Sequence, residues 1–103
     1  MTHQLVFIPM RPNNVKSILA GKKTATSRTK IFGWPGDYFM IKDSYYQITR
    51  LNKKTLGEIA MNHFKDEGFN STEEFIAEWE QIHPYKGFNA SWEVYYHEFE
   101  KKY

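Results

Sequence analysis

The sequence contains no cysteine in its 103 residues. Disulfides, thiolate nucleophiles and cysteine-ligated zinc are therefore excluded together. No apolar run approaches the roughly 18 residues that carry a helix across a bilayer. The opening stretch, Met1 to Pro12, lacks a basic region followed by an apolar segment of signal-peptide length. The histidines His3, His63, His83 and His97 are scattered and form neither of the close pairs that hold zinc. Around Gly21-Lys22 the G-x-x-x-x-G-K-[ST] spacing is missing, and the segment follows a helical pattern instead of a strand, so a P-loop is excluded. There is no G-x-S-x-G elbow to support a serine triad. The expectation is a soluble, cytoplasmic protein with one domain over residues 1–103, needing neither metal nor organic cofactor.

What is present is a folding composition. With 41% hydrophobic, 25% charged and 17% aromatic residues, disorder, collagen and coiled coil fall away. A chain of this size buries about two-thirds of its unfolded surface, so a core without staples is feasible. The net charge of +2 conceals an asymmetry: up to Lys54 there are ten Lys/Arg against Asp37 and Asp43, and from Thr55 onward four lysines against ten acids. Either the first half forms a basic face that attracts phosphates, or the two halves pack together and pair their charges.

Leu5 to Ile8 reads as a short strand closed by Pro9 and Pro12. Asn13 or Asn14 is expected to cap a helix with Val15, Ile18 and Leu19 along its buried stripe, ending near Ala20 with Gly21 in the left-handed position. Lys22 to Arg28, rich in small and β-branched residues, reads as a strand. Gly33 to Asp37 is turn chemistry. Tyr38 to Ile41 and Tyr45 to Leu51 form a hairpin pattern. Then the period changes. Thr55-Leu56-Gly57-Glu58 and Ser71-Thr72-Glu73-Glu74 are capping boxes. The first helix carries Ile59, Ala60 and Phe64; the second carries Phe75, Ile76, Trp79 and Ile82, and stops before Pro84. Trp92 to Phe99 alternates as a last strand. The order points to an α+β domain, a small mixed β-barrel with flanking helices.

The densest polar cluster is Gly21-Lys22-Lys23-Thr24-Ala25-Thr26-Ser27-Arg28. In a regular strand Thr24, Thr26 and Arg28 share one face. Lys23 then meets Thr26 only where it still lies in the turn after Gly21, or where the strand is irregular. A lysine beside a hydroxyl can generate a nucleophile when burial or a neighbouring cation depresses its pKa, and Lys22 and Arg28 stand ready as those neighbours. The plain alternative is a solvated strand with surface lysines. Tyr45, Tyr46, Tyr95 and Tyr96 offer aromatic faces that could stack bases on a basic sheet, or simply fill the core.

The run Ile18 to Arg28 resembles the signature of the ASCH domains of the PUA-like superfamily, which carry G-x-K-x-x-[ET]-x-R after the first helix. Gly21, Lys23, Thr26 and Arg28 fill that pattern, and Gly36-Asp37 fills the turn that follows it. Glu67-Gly68-Phe69-Asn70-Ser71-Thr72-Glu73-Glu74-Phe75 resembles the family's later E-G-[FY]-x-[ST]-x-x-E-[FL] stretch, and Tyr95 to Phe99 its last strand. The resemblance implies a PUA-like barrel, a cleft between barrel and helices, and RNA or a modified nucleoside as partner. Thr26 stands where many ASCH domains have Glu, as in the small acetylcytidine amidohydrolases, which use Lys, Thr and Glu to remove an acyl group from the exocyclic amine. On that resemblance Lys23, Thr26 and Glu67 are the catalytic candidates, with Gly21, Lys22, Arg28 and Lys30 for ligand or RNA. The alternative is a non-catalytic RNA-binding module using the basic N-terminal half.

Overall fold

A computed structural model describes residues 3–102. The element order is α1 (Pro12–Leu19), β1 (Ala25–Arg28), β2 (Tyr38–Ile41), β3 (Ser44–Thr55), α2 (Leu56–Asn62), α3 (Thr72–Ile82) and β4 (Glu93–Lys101). The strands form one antiparallel sheet in the order β1-β4-β3-β2. A register shift between Ile48 and Arg50 in the long β3 accompanies the curl of the sheet into a half-barrel, because a bulge bends a strand and raises its twist. The architecture is α+β, as the order of sequence patterns requires. Among the described residues no helix is long and apolar enough to cross a membrane.

β4 supplies the centre of the molecule through its alternation. Val94 and Tyr96 turn to one face and pack with Ala25, Leu56, Ile59, Phe75 and Trp79, which brings α2 and α3 onto that side. Phe99 turns to the other and packs with Ile18, Phe39, Tyr46 and Ile48, which seats α1. The N-cap bond of each box forms: Thr55 accepts from the Glu58 N–H, and Ser71 from the Glu74 N–H, while Glu74 Oε1 reaches back to the Asn70 N–H. The Thr55 and Ser71 oxygens satisfy N–H groups that a helix start otherwise leaves open.

Three local expectations are corrected. The Leu5–Ile8 segment is not a strand but a single parallel bridge from Leu5 to Tyr38. Val6 N donates to Tyr38 O at 2.7 Å and Tyr38 N donates to Gln4 O at 2.8 Å, after which the chain leaves the sheet edge and Phe7 lies 79% exposed. The α1 cap is Arg11, with no side-chain hydrogen bond, and not an asparagine. Pro12 takes the first helical position, where its fixed φ suits the turn and its missing N–H costs nothing, so Asn13 and Asn14 fall inside the helix and turn their amides to Glu78. The strand expected from Lys22 begins at Ala25. The N–H groups of Lys22 and Lys23 both donate to Ser17 O, which keeps these two residues in the turn that ends α1.

Candidate active site

Lys23 enters the interior because of how α1 ends. Gly21, at φ 79°, reverses the chain in the left-handed region, where L side chains are strained. Lys23 then bridges to Glu67 across the backbone, while the N–H groups of Thr24 and Ala25 both donate to Asp66 O. Glu67 is brought to this point by the break between α2 and α3. That break turns on Gly68 at φ 96°, where a Cβ would lie 2.6 Å from Ser17 Oγ and 3.0 Å from Lys23 Cβ. No other residue type fits that position without displacing its neighbours.

The two ends of this bridge form a buried ion pair. Lys23 and Glu67 are each 3% exposed. Lys23 Nζ donates to Glu67 Oε1 at 3.1 Å and to the Glu67 carbonyl oxygen at 3.0 Å. Burial pushes the Lys23 amine below its ordinary range; the attraction of Glu67 opposes this without cancelling it, and Arg28 adds to the lowering. The other carboxylate oxygen, Glu67 Oε2, accepts from Ser27 Oγ at 2.5 Å.

Thr26 and Arg28 lie together on the opposite face of β1. Arg28 Nε donates to Thr26 Oγ1 at 3.1 Å, its Nη2 to Met10 Sδ, and the guanidinium sits over the Phe32 ring at 5.5 Å. No hydrogen bond joins Lys23 to Thr26 among the described residues. Behind Thr26, in register on β4, is His97, with no exposed surface. Its Nε2 accepts from Phe32 N–H at 3.1 Å and its Nδ1 lies 3.0 Å from the Tyr95 carbonyl oxygen, which fixes a neutral ring protonated on Nδ1. Burial holds its pKa below the usual histidine value.

These groups open on one cavity of about 410 Å³ between β1, α1 and α3. Lys23, Thr26, Ser27, Arg28, Lys30 and Glu67 line one side of it. Phe69, Phe75, Trp79 and His83 line another, with the His83 ring stacked on Trp79 at 4.2 Å. Glu78 completes the wall beside Asn14. Gly21 and Lys22 are outside the lining: Gly21 shapes the turn, and Lys22 is exposed at the surface. Sequence reasoning missed Ser27, Glu78 and His97. It placed Trp79 only in the core, although the same indole walls the cavity.

No family model matches the chain, and none of the curated proteins matches it. Solved structures do. A crystal structure of protein EF3133 from Enterococcus faecalis V583, described with the family model DUF984, superposes with a TM-score of 0.67 at 18% identity, covering 99% of this chain and 77% of that one. An ASCH domain from Lactobacillus crispatus JV V101 gives a TM-score of 0.64 at 15% identity over 97% of this chain and 80% of its own. The hypothetical protein PH0355 gives 0.67 at 18% identity, covering 99% of this chain and 100% of that one. With the curled sheet, the edge strand β1 and the helices closing a cavity over it, the chain shares the α+β fold of these structures, the ASCH domain among them.

Proposed function

We propose that the cavity binds a cytidine-like nucleoside, free or within RNA, and hydrolyses an acyl amide on its exocyclic amine. The observation that carries this reading is the buried Lys23–Glu67 pair at the cavity wall. Taking both charges out of water is costly for stability, and such pairs in clefts are a mark of chemical use. A cavity of about 410 Å³ is within the range of small-molecule sites, and the rings of Phe69, Phe75 and Trp79 give a flat base apolar faces to rest on.

In this mechanism Lys23, whose burial favours the neutral amine over the ammonium paired with Glu67, accepts in that neutral form the proton of a hydroxyl on β1, and that oxygen attacks the amide carbonyl. The ASCH resemblance assigns the hydroxyl to Thr26. Glu67 orients Lys23 and helps return the proton to the leaving amine. Arg28, beside Thr26 and facing the cavity, is placed to stabilise the oxyanion. Incubation with acetylcytidine, followed by chromatography of the products, tests the reading. Cytidine release that falls sharply in Glu67→Gln supports it; intact acetylcytidine after long incubation refutes the hydrolase.

One observation favours a second reading, a non-catalytic RNA-binding module. Lys16, Lys22 and Lys30 have no acidic partner among the described residues, so they are free to meet phosphates, Lys30 from the cavity wall. RNA binding without release of cytidine from acetylcytidine would select this module.

A further inference from the structure

We propose that Ser27 is the attacking hydroxyl of this cavity. The inference rests on the amide-hydrolase reading and deepens it by naming the atom that becomes acylated. Alternation along β1 separates the two candidate hydroxyls. Thr26 shares a face with Arg28, and its Oγ1 is occupied by the Arg28 Nε–H. Ser27 shares a face with Ala25, which packs with the α2 and α3 cluster, and so it turns toward Glu67. A continuous path of hydrogen bonds therefore runs from Ser27 Oγ through both oxygens of Glu67 to Lys23 Nζ. Ser27 is 8% exposed and is one of the residues lining the cavity, beside Lys23 and Glu67. Thr26 has no such path.

The step balances as follows. Ser27 Oγ bonds to the acyl carbon and its proton passes to the Glu67 carboxylate at Oε2. Rotation of the protonated carboxyl about its Cγ–Cδ bond then presents that proton to the neutral form of Lys23 Nζ, which takes it and leaves the carboxylate as it was. Collapse of the tetrahedral intermediate breaks the carbon–nitrogen bond, and the Nζ proton goes to the departing amine. An ester on Ser27 remains. Water attacks it, sends a proton along the same path to Lys23, and the released Ser27 oxygen takes that proton back as the carboxylic acid departs.

The test uses two substrates with the full chain. With p-nitrophenyl acetate, peptide mapping should find an acetyl group on Ser27 that alkaline hydroxylamine removes, as it removes oxygen esters and not lysine amides. With acetylcytidine, Ser27→Ala should lower cytidine release by about 10³-fold or more. Because Ser27→Ala strips a partner from a buried carboxylate and could impair folding, the mapping is done on the unaltered chain and needs no variant. Acetyl on Ser27 with no turnover of acetylcytidine upholds the inference and removes cytidine as the substrate. An ester on Thr26, no ester at all, or full activity in a folded Ser27→Ala overturns it, while cytidine release in the same assay leaves the hydrolase reading standing.

Discussion

Single atoms decide the geometry of this site, and Gly68 is the sharpest case. Its φ of 96° and the 2.6 Å approach of a would-be Cβ to Ser17 Oγ leave no room for a side chain. Gly68→Ala should cost about 2 kcal/mol or more, combining left-handed strain with overpacking, and should loosen the Lys23–Glu67 bridge next to it. Urea denaturation measures the first effect; a variant as stable as the parent would contradict it. His97 makes a pH prediction. Its folded pKa is depressed by burial, so the unfolded chain binds the proton first as pH falls. Stability from this residue is present above the ordinary histidine pKa of about 6.5 and is lost progressively as pH falls from there through the lower folded pKa. Protonation would also remove the lone pair that accepts the Phe32 N–H, freeing the ring beneath Arg28 and Lys30. Titration by NMR should show the His97 ring still neutral where exposed histidines are half protonated; an ordinary titration would refute this.

At the scale of elements, α3 turns sequence into site most directly. Its capping box fixes where the helix begins, and that start sets Phe75, Glu78 and Trp79 on the cavity wall. Ser71→Ala removes the bond to the Glu74 N–H and should cost about 1 kcal/mol with an unchanged denaturant slope. An unchanged midpoint would mean that the cap does not hold the helix. Both capping boxes, the β2–β3 hairpin and β4 were legible in the sequence because each is specified by local chemistry or by its own alternation. The Leu5 segment was not, because its only pairing is one parallel bridge to a strand more than 30 residues away. Ser27 was hidden by the phase of β1. Lys23, Ala25 and Ser27 have the same parity, so alternation counted from Lys23 already sets the lysine with Ser27 and apart from Thr26. The motif drew the eye to Thr26, and nothing in the sequence told which side Glu67 would approach from.

Across the whole molecule the two charged halves are partly folded onto one another. Arg11–Glu78, Lys23–Glu67, Lys53–Glu93 and Lys54–Glu58 each join a cation of the first half to an acid of the second. Lys16, Lys22, Arg28, Lys30, Lys42 and Arg50 of the first half form no salt bridge among the described residues, and of these Arg28 and Lys30 line the cavity. If RNA is the ligand, its affinity should fall steeply with salt as phosphate contacts release counterions, and replacing Lys22 and Lys30 by Ala should flatten that slope by about two contacts. A salt-independent affinity points to a free nucleoside. The role of the buried lysine is tested most directly by Lys23→Arg assayed on acetylcytidine. Arginine can still pair with Glu67 but stays protonated and cannot accept a proton. Hydrolysis should therefore drop by about 10²–10⁴ while affinity for cytidine changes little; turnover at the parent rate would show that Lys23 is not the base.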